Sequence, residues 1–180
     1  MARVSLSIEP MTVAEVEAER AALIALLQDA VESGASVGFL PPLGDDEARS
    51  YWVTVAAGLR DGSRVVLAAR DGELGLVGSA QLELGMRANA THRAEVTKVM
   101  VHRRARRRGV GRALMLALEA QARRLGRTTL ILDTRQGDPS EVLYRAVGWT
   151  FAGAIPRYAR SATGTLDATA LYYKLLDPAP

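Results

Sequence analysis

The chain has no cysteine, and only two of its 180 residues are histidines. The absence of cysteine excludes disulfide bonds, thiolate metal sites and every enzyme that uses a cysteine nucleophile. Two histidines are too few for a histidine-rich zinc site, so we expect no bound metal. Covalent catalysis by this chain would therefore need another nucleophile.

Aromatic residues and long apolar runs are also scarce. Aromatic side chains make up 5% of the chain, and no segment approaches the roughly 18 consecutive apolar residues of a membrane helix. The first ten residues lack the long apolar core of a secretory signal peptide. We therefore expect a cytoplasmic protein with no membrane partner.

The remaining composition is that of a globular protein. The chain is 48% hydrophobic with a mean hydropathy of +0.03, which predicts one domain spanning 1–180. The formal net charge is only +3, yet the basic residues concentrate over 103–112 and 123–127. This concentration indicates a local anion site rather than a basic surface spread over the whole chain.

Hydrophobic periodicity predicts alternating helices and strands. Thr12-x-x-Glu15 forms a capping box at the start of the first helix, and Gly34 ends that helix. Asp45 or Asp46 caps the second helix. The other predicted elements are strands over 4–8, 64–70, 76–84, 94–102, 129–134, 149–154 and 170–176, and helices over 110–125 and 139–147.

The order of these elements predicts the fold class. The strand–helix–strand unit over 94–134 forms a right-handed crossover between two parallel strands, and the other strands form an antiparallel meander. We therefore expect an α/β (α+β) fold, with a mixed, mostly antiparallel central sheet of about seven strands and helices on both faces.

Residues 99–118, VMVHRRARRRGVGRALMLAL, join an apolar strand to an apolar-striped helix through an arginine-rich turn. Gly109 and Gly111 let backbone N–H groups at the start of the helix approach a ligand closely. These N–H groups lack intrahelical partners and lie at the positive end of the helix dipole. The junction therefore predicts a polyphosphate site. The arginines around it, some of which can form bidentate hydrogen bonds, are Arg103, Arg104, Arg106, Arg107, Arg108 and Arg112.

The spacing Arg106-x-x-Gly109-x-Gly111 differs from the P-loop pattern G-x-x-x-x-G-K-[ST] and from the dinucleotide pattern G-x-G-x-x-G. A nucleotide hydrolase is therefore disfavoured. The spacing resembles the acetyl-CoA-binding signature R/Q-x-x-G-x-G/A of the GNAT superfamily of N-acetyltransferases. The segment SEVLYRAVGW over 140–149 resembles the A-x-x-x-Y-x-x-x-G-F block of the same superfamily.

This resemblance implies acetyl-CoA as the co-substrate and an acetyl-CoA-binding core over about 94–150. Within the superfamily, the segments 34–39, 93–101 and 132–134 and the ending TALYYKLL are most similar to bacterial tabtoxin-resistance acetyltransferases. That similarity implies a small-molecule primary amine as acceptor, for which an amino-acid-like antimetabolite or an antibiotic is an option, and a role in antibiotic resistance. The implied contacts to acetyl-CoA are Val99, Met100, Val101, Arg106, Arg107, Arg108, Gly109, Val110, Gly111, Arg112 and Tyr144.

The sequence departs from the superfamily pattern at several positions. Arg103 lies where proline is common. Arg107 lies where glycine is common, so it fits only if its backbone avoids positive φ. Gly137 and Ser140 stand in place of the usual Asn and Ala ahead of Tyr144. The missing Asn removes one side-chain hydrogen bond to the cofactor.

Acetyl transfer from a thioester to an amine requires a base for the ammonium proton and an acid for the departing thiolate. Glu95 and Asp133, which lie in the segments matched to the tabtoxin-resistance group, are the candidate bases. Tyr144 is the candidate acid, because a phenol is protonated at neutral pH. A backbone N–H over 99–101 can polarise the thioester carbonyl where a bulge or a splayed edge frees it.

Each candidate also has a structural interpretation. Glu95 and Asp133 can face solvent or pair with arginine, and Tyr144 can be a core aromatic. His102, beside the arginine turn, and His92 are left out of the catalytic set, because lone histidines are more often structural. Candidate linings of an acceptor pocket are Phe39, Tyr158 and Trp52, with ordinary packing favoured for Trp52.

Two other functions fit parts of the sequence. A protein N-terminus or a lysine side chain can replace the small amine as acceptor. The arginine run alone fits a nucleic-acid-binding module, but the glycines, the apolar helix and the low aromatic content argue against it, so we expect no nucleic-acid partner. The sequence gives neither the identity of the acceptor nor the oligomeric state, for which monomer and homodimer stay open.

Overall fold

The computed structural model describes residues 6–177. Its strands are β1 (Leu6–Pro10), β2 (Arg64–Asp71), β3 (Gly75–Leu84), β4 (Arg93–Val101), β5 (Thr129–Arg135), β6 (Thr150–Arg160) and β7 (Leu166–Leu175). Its helices are α1 (Val13–Ala18), α2 (Arg20–Glu32), α3 (Asp45–Arg60), α4 (Val110–Arg124) and α5 (Ser140–Ala146), with a 3₁₀ turn at Arg103–Ala105. The start of the strand predicted over 4–8 lies outside the described residues.

The strands form one seven-stranded sheet in the order β1-β2-β3-β4-β5-β7-β6. β4 and β5 are parallel and are joined by the crossover helix α4, while the other neighbouring strands are antiparallel. The mixed, mostly antiparallel sheet predicted from the element order is therefore confirmed.

Helices cover both faces of the sheet, as expected. On one face, Leu114 and Leu118 of α4 form a core with strand side chains and with Tyr144 of α5. On the other face, Leu27 of α2 and Trp52 of α3 belong to a second core. α3, with 16 residues, is the longest helix, and no helix within 6–177 has the length and apolar content needed to cross a bilayer.

The helix ends near the N-terminus differ in part from the prediction. The capping box is present, with Thr12 Oγ1 accepting a hydrogen bond from the Glu15 N–H at 3.2 Å. The predicted first helix is broken at Glu19, which separates α1 from α2. α3 is capped by Gly44 rather than by an aspartate, and Asp45 and Asp46 lie in its first turn, where their charge stabilises the positive end of the helix dipole.

Three further details depart from the sequence prediction. The helix predicted over 110–125 ends at Arg124, and Leu125 is its C-cap and is 40% exposed. β6 and β7 are both longer than predicted. The added length of β6 carries Tyr158 and Ala159 to the edge of the site described next.

Candidate active site

β4 and β5 diverge towards their carboxyl ends. Their parallel pairing covers only residues 93–95 of β4 and 129–131 of β5. A gap therefore opens in the sheet where the two strands separate. Two clefts meet at this gap: one of about 620 Å³, named here the arginine cleft, and one of about 400 Å³, named the carboxylate cleft.

β4 carries a β-bulge beside this gap. Lys98 and Val99 of β4 face the single residue Ala80 of β3, and Lys98 adopts φ +51. A bulged residue is left out of the regular ladder, and β5 does not pair with this part of β4. The structure thus contains both features, a bulge and a splayed strand, that can free main-chain N–H groups for a ligand.

The arginine cleft lies between the N-terminus of α4 and α5. Gly109 is the N-cap of α4 and adopts φ +82, a left-handed conformation that glycine tolerates best. Gly111 faces α5 closely, since a methyl group on its Cα would lie 3.2 Å from Leu143 Cδ2. The cleft is also lined by Val99, Met100, Val101, Arg106, Arg107, Val110, Arg112, Ser140 and Tyr144.

The carboxylate cleft contains both predicted bases, Glu95 and Asp133. Glu95 is half-buried, and this burial raises the pKa of its carboxyl group above the usual value, with the nearby charges of Glu83 and Asp133 adding to the effect. Asp133 is exposed and accepts a 2.8 Å hydrogen bond from Thr169 Oγ1. The surroundings of Glu95 therefore make it a stronger base than an ordinary glutamate.

Tyr144 lies where the two clefts meet and lines both of them. Its ring packs against Trp149 and Tyr172, with centroid distances of 6.4 and 6.0 Å. Burial, followed by the charge of Asp138, raises the pKa of the Tyr144 phenol. The side chain is therefore protonated at neutral pH, and it is at once a core aromatic and a hydroxyl at the junction of the clefts.

The segment that contains both clefts matches a known family. Residues 20–149 match the model of the acetyltransferase (GNAT) family. The chain belongs to the GNAT family. It is therefore an acetyl-CoA-dependent N-acetyltransferase, as the sequence resemblance implies. The narrower similarity to the tabtoxin-resistance enzymes stays a prediction.

Solved structures share the GNAT fold over nearly the whole chain. A ribosomal-protein-alanine N-acetyltransferase from Brucella melitensis is 28% identical, with a TM-score of 0.76 and coverage of 94% of this chain and 99% of that one. The yncA protein of Salmonella typhimurium, solved with its cofactor acetyl-CoA, is 19% identical, with a TM-score of 0.79 and coverage of 97% and 95%. A protein named for phosphinothricin N-acetyltransferase activity is 19% identical, with a TM-score of 0.79 and coverage of 96% and 99%.

The arginine cleft of this GNAT enzyme fits the diphosphate of acetyl-CoA. A Cβ at Gly111 would intrude between α4 and α5, so the glycine keeps that passage open. The first N–H groups of α4 lack intrahelical partners and lie at the positive end of the helix dipole. Arg106, Arg107 and Arg112 line the same cleft and supply the charged donors that phosphate oxygens accept best.

Four arginines of the turn have partners within the protein: Arg106, whose Nε donates to the carbonyl of Val101 at 3.1 Å, and Arg103, Arg104 and Arg108. The Arg108 guanidinium lies 3.3 Å from Asp71 Oδ2, and Arg108 does not line the arginine cleft, unlike the expectation from sequence. Arg103 is hydrogen-bonded to the buried carboxylate of Asp29 through both its backbone N–H and its guanidinium. Arg104 donates to the carbonyl of Leu74 at 2.7 Å.

Arg107 adopts φ +62. Arg107 therefore has a left-handed backbone conformation, and the expectation that its backbone avoids positive φ is wrong. The turn into α4 imposes this backbone shape at a position where the superfamily often has glycine. Left-handed geometry costs a residue with a side chain about 1–2 kcal/mol.

The remaining sequence candidates fall into structural and pocket-lining groups. Trp52 is fully buried in the second core, so ordinary packing explains its position. His102 caps the 3₁₀ turn, with its Nδ1 accepting a 3.3 Å hydrogen bond from the Arg104 N–H. His92 is exposed and lines neither cleft. Tyr158 lines the carboxylate cleft. Within 6–177, no group of three or more His, Asp or Glu side chains is arranged to hold a metal ion.

Sequence reasoning missed two residues of the site. Asp29, near the end of α2, fixes the arginine turn through Arg103. Lys98 lines the carboxylate cleft. Strict strand alternation would place Lys98 on the opposite face from Glu95, and only the bulge brings the two side chains into one cleft. Neither placement has a signal in the local sequence.

Proposed function

We propose that this enzyme transfers the acetyl group of acetyl-CoA to the primary amine of a small molecule bound in the carboxylate cleft. The observation that carries the proposal is the meeting of the two clefts at Val99, Ser140 and Tyr144, with Glu95 and Asp133 lining the acceptor side. Acetyl-CoA, when bound in the arginine cleft, supplies the activated acyl group.

Glu95 is the proposed general base. The acceptor amine arrives as an ammonium ion and has to lose a proton before it can act as a nucleophile. The raised pKa of Glu95 favours it as the proton acceptor, because a stronger base takes the ammonium proton more readily. Asp133 is the alternative base, since it lines the same cleft.

Tyr144 is the proposed proton donor. Its hydroxyl is protonated at neutral pH, lies between the clefts and can donate to the departing sulfur. Main-chain N–H groups beside the bulge at 98–99, where β5 does not pair with β4, are the proposed donors to the acyl oxygen. Binding, orientation and both proton transfers are thus assigned to residues of this chain.

A protein N-terminus is the second candidate acceptor. It is favoured by the 28% identity to the ribosomal-protein-alanine N-acetyltransferase of Brucella melitensis. An N-terminal alanine presents the same primary amine to the cleft, followed by a peptide bond instead of a free carboxylate. The two candidates therefore differ in what lies beyond the amine.

A screen of acceptor amines tests the proposal. Release of free coenzyme thiol can be followed with a thiol reagent, and the enzyme adds no background because the chain has no cysteine. The panel contains amino acids, aminoglycosides, simple alkylamines and a peptide with N-terminal alanine. We expect thiol release with at least one small amine at a higher kcat/KM than with the peptide. Turnover of the peptide alone would assign the enzyme to protein acetylation instead.

A further inference from the structure

Lys98 is an unusual residue in this chain. The protein contains 21 arginines and only two lysines, Lys98 and Lys174. Lys174 has an ordinary structural partner, since its Nζ lies 2.8 Å from the buried carboxylate of Glu119. Lys98 instead lines the carboxylate cleft, and no carboxylate within 6–177 lies within 4.0 Å of its Nζ. One of the two lysines thus presents its charge to the acceptor site.

The Lys98 side chain is held in place by its neighbours. Its Nζ lies 5.4 Å from the centroid of the Tyr51 ring and 5.9 Å from that of Phe39. The two rings contact each other edge to face, with centroids 5.4 Å apart. A methyl group at Gly38 would lie 3.6 Å from the same Nζ. The ammonium group is therefore positioned by packing and cation–π contacts, without a salt bridge.

Charged groups on several elements face Lys98. They are Arg64 on β2, Glu83 on β3, Glu95 on β4 itself and Asp133 on β5. Glu83 is already paired with Arg64, whose guanidinium lies 2.8 Å from it. Three other carboxylates line the cleft, those of Glu95, Asp133 and Asp138, the last of which accepts a 3.0 Å hydrogen bond from the Ser140 N–H. Among the residues that line the cleft, Lys98 carries the one ammonium group. Burial lowers the pKa of Lys98, so an anion bound beside its ammonium group would favour the charged form.

We propose that the acceptor is a zwitterion, a primary amine that also carries an acidic oxyanion, and that Lys98 binds this oxyanion while Glu95 and Asp133 face the ammonium group. The inference rests on the proposed function, because it names the substrate class of the same site. Free amino acids share this chemistry. Lys98 is a specificity-determining residue that recognises the acid group.

Kinetics with paired acceptors test this assignment. Each L-amino acid is compared with its carboxamide, which keeps the amine and removes the negative charge. Lys98→Met keeps the length of the side chain and should lower kcat/KM for the amino acids by roughly 10- to 100-fold, mainly through KM, while changing the carboxamides little. Lys98→Arg should restore much of the preference. Arg124→Met, at an exposed position on α4, is the control for loss of a positive charge elsewhere.

Binding without acetyl-CoA provides a second readout. Protein labelled with carbon-13 at the lysine ε positions gives two signals, because the chain has two lysines, and Lys98→Met assigns them. We expect the same amino acids to raise the pKa of Lys98, because an anion beside the ammonium group stabilises its charged form. The carboxamides should leave the pKa of Lys98 unchanged.

The two experiments separate the possible failures. Thiol release with equal preference for acid and carboxamide, in wild type and Lys98→Met alike, would overturn the role of Lys98 and leave the proposed function standing. A shift of the Lys98 signal with amino acids and no turnover of any amine would support the anion site and overturn the proposed function. A Lys98 signal that responds to no amino acid would overturn the inference.

Discussion

Glu95 combines a position in the carboxylate cleft with an environment that disfavours its charge. We predict that Glu95→Gln lowers kcat/KM by roughly 10²- to 10⁴-fold, because an amide cannot accept the ammonium proton. In the wild type, the acid limb of the pH–rate profile should lie above the ordinary pKa of glutamate, and this limb should be lost in the variant. Asp133→Asn is the matched control. If only Asp133→Asn removes the limb, Asp133 is the base.

The same substitution should stabilise the fold at neutral pH. A carboxyl group whose pKa is raised on folding binds its proton more tightly in the native state. Its favourable contribution is therefore complete below the unfolded pKa and is lost as the pH rises through the folded pKa. Glutamine has no carboxyl group to ionise, so Glu95→Gln avoids this loss of stability. We predict a higher thermal unfolding midpoint than wild type at neutral pH, with the difference narrowing below the ordinary pKa of glutamate. Equal midpoints at neutral pH would contradict the raised pKa.

Arg107 permits a comparison of two small substitutions at one strained position. Both Arg107→Gly and Arg107→Ala remove a guanidinium from the arginine cleft, so both should weaken acetyl-CoA binding to a similar extent. Only glycine relieves the left-handed backbone at φ +62. We predict that the free energy of unfolding of Arg107→Gly, measured by urea denaturation, is about 1 kcal/mol higher than that of Arg107→Ala. Equal stability would show that the backbone relaxes without strain.

Tyr144→Phe separates proton donation from packing. The substitution keeps the ring that packs on Trp149 and Tyr172 and removes only the hydroxyl between the clefts. We predict a lower kcat with nearly unchanged acetyl-CoA affinity and thermal stability. A kcat equal to that of wild type across the pH range would exclude Tyr144 from the reaction.

Among the structural elements, the strongly periodic ones could be predicted from the sequence. The hairpin of β2 and β3 and the helix α4 follow from alternation and from 3.6-residue spacing. The bulge at Lys98 and Val99 could not be predicted from the sequence, because a bulge exists only in the pairing of β4 with its partner strand β3. The break at Glu19 could not either, since the carboxylate of Glu19 pairs with Arg70, 51 residues away.

α4 is tied to β7 by a buried ion pair. Glu119 of α4 accepts hydrogen bonds from Lys174 Nζ at 2.8 and 2.9 Å and from Trp149 Nε1 at 3.2 Å. We predict that Lys174→Met destabilises the fold by about 3–5 kcal/mol, because it leaves a buried carboxylate without its counter-charge. Urea denaturation checks this prediction. The double variant Lys174→Met/Glu119→Leu should recover much of the loss, and a single variant as stable as wild type would contradict it.

At the scale of the whole molecule, the site joins segments from α2, β3, β4, α4, β5, α5 and β6. The meeting of Glu95 and Asp133 could be predicted, because the parallel strands that carry them are neighbours. The places of Asp29 and Lys98 could not be predicted. Asp29 reaches the arginine turn across 74 residues of chain, and Lys98 faces the cleft only because the bulge reverses the strand alternation.

We propose that the N-terminus of α4 and its arginines hold the diphosphate of acetyl-CoA. Calorimetric titration of acetyl-CoA tests it directly, with wild type, Gly111→Leu and the control Ala120→Leu at an exposed position of the same helix. We predict that wild type binds acetyl-CoA and that the affinity falls with added salt. Gly111→Leu should bind about tenfold more weakly than wild type, whereas Ala120→Leu should bind with unchanged affinity. Absence of binding to wild type, or equal affinity in Gly111→Leu, would contradict a diphosphate site at the N-terminus of α4.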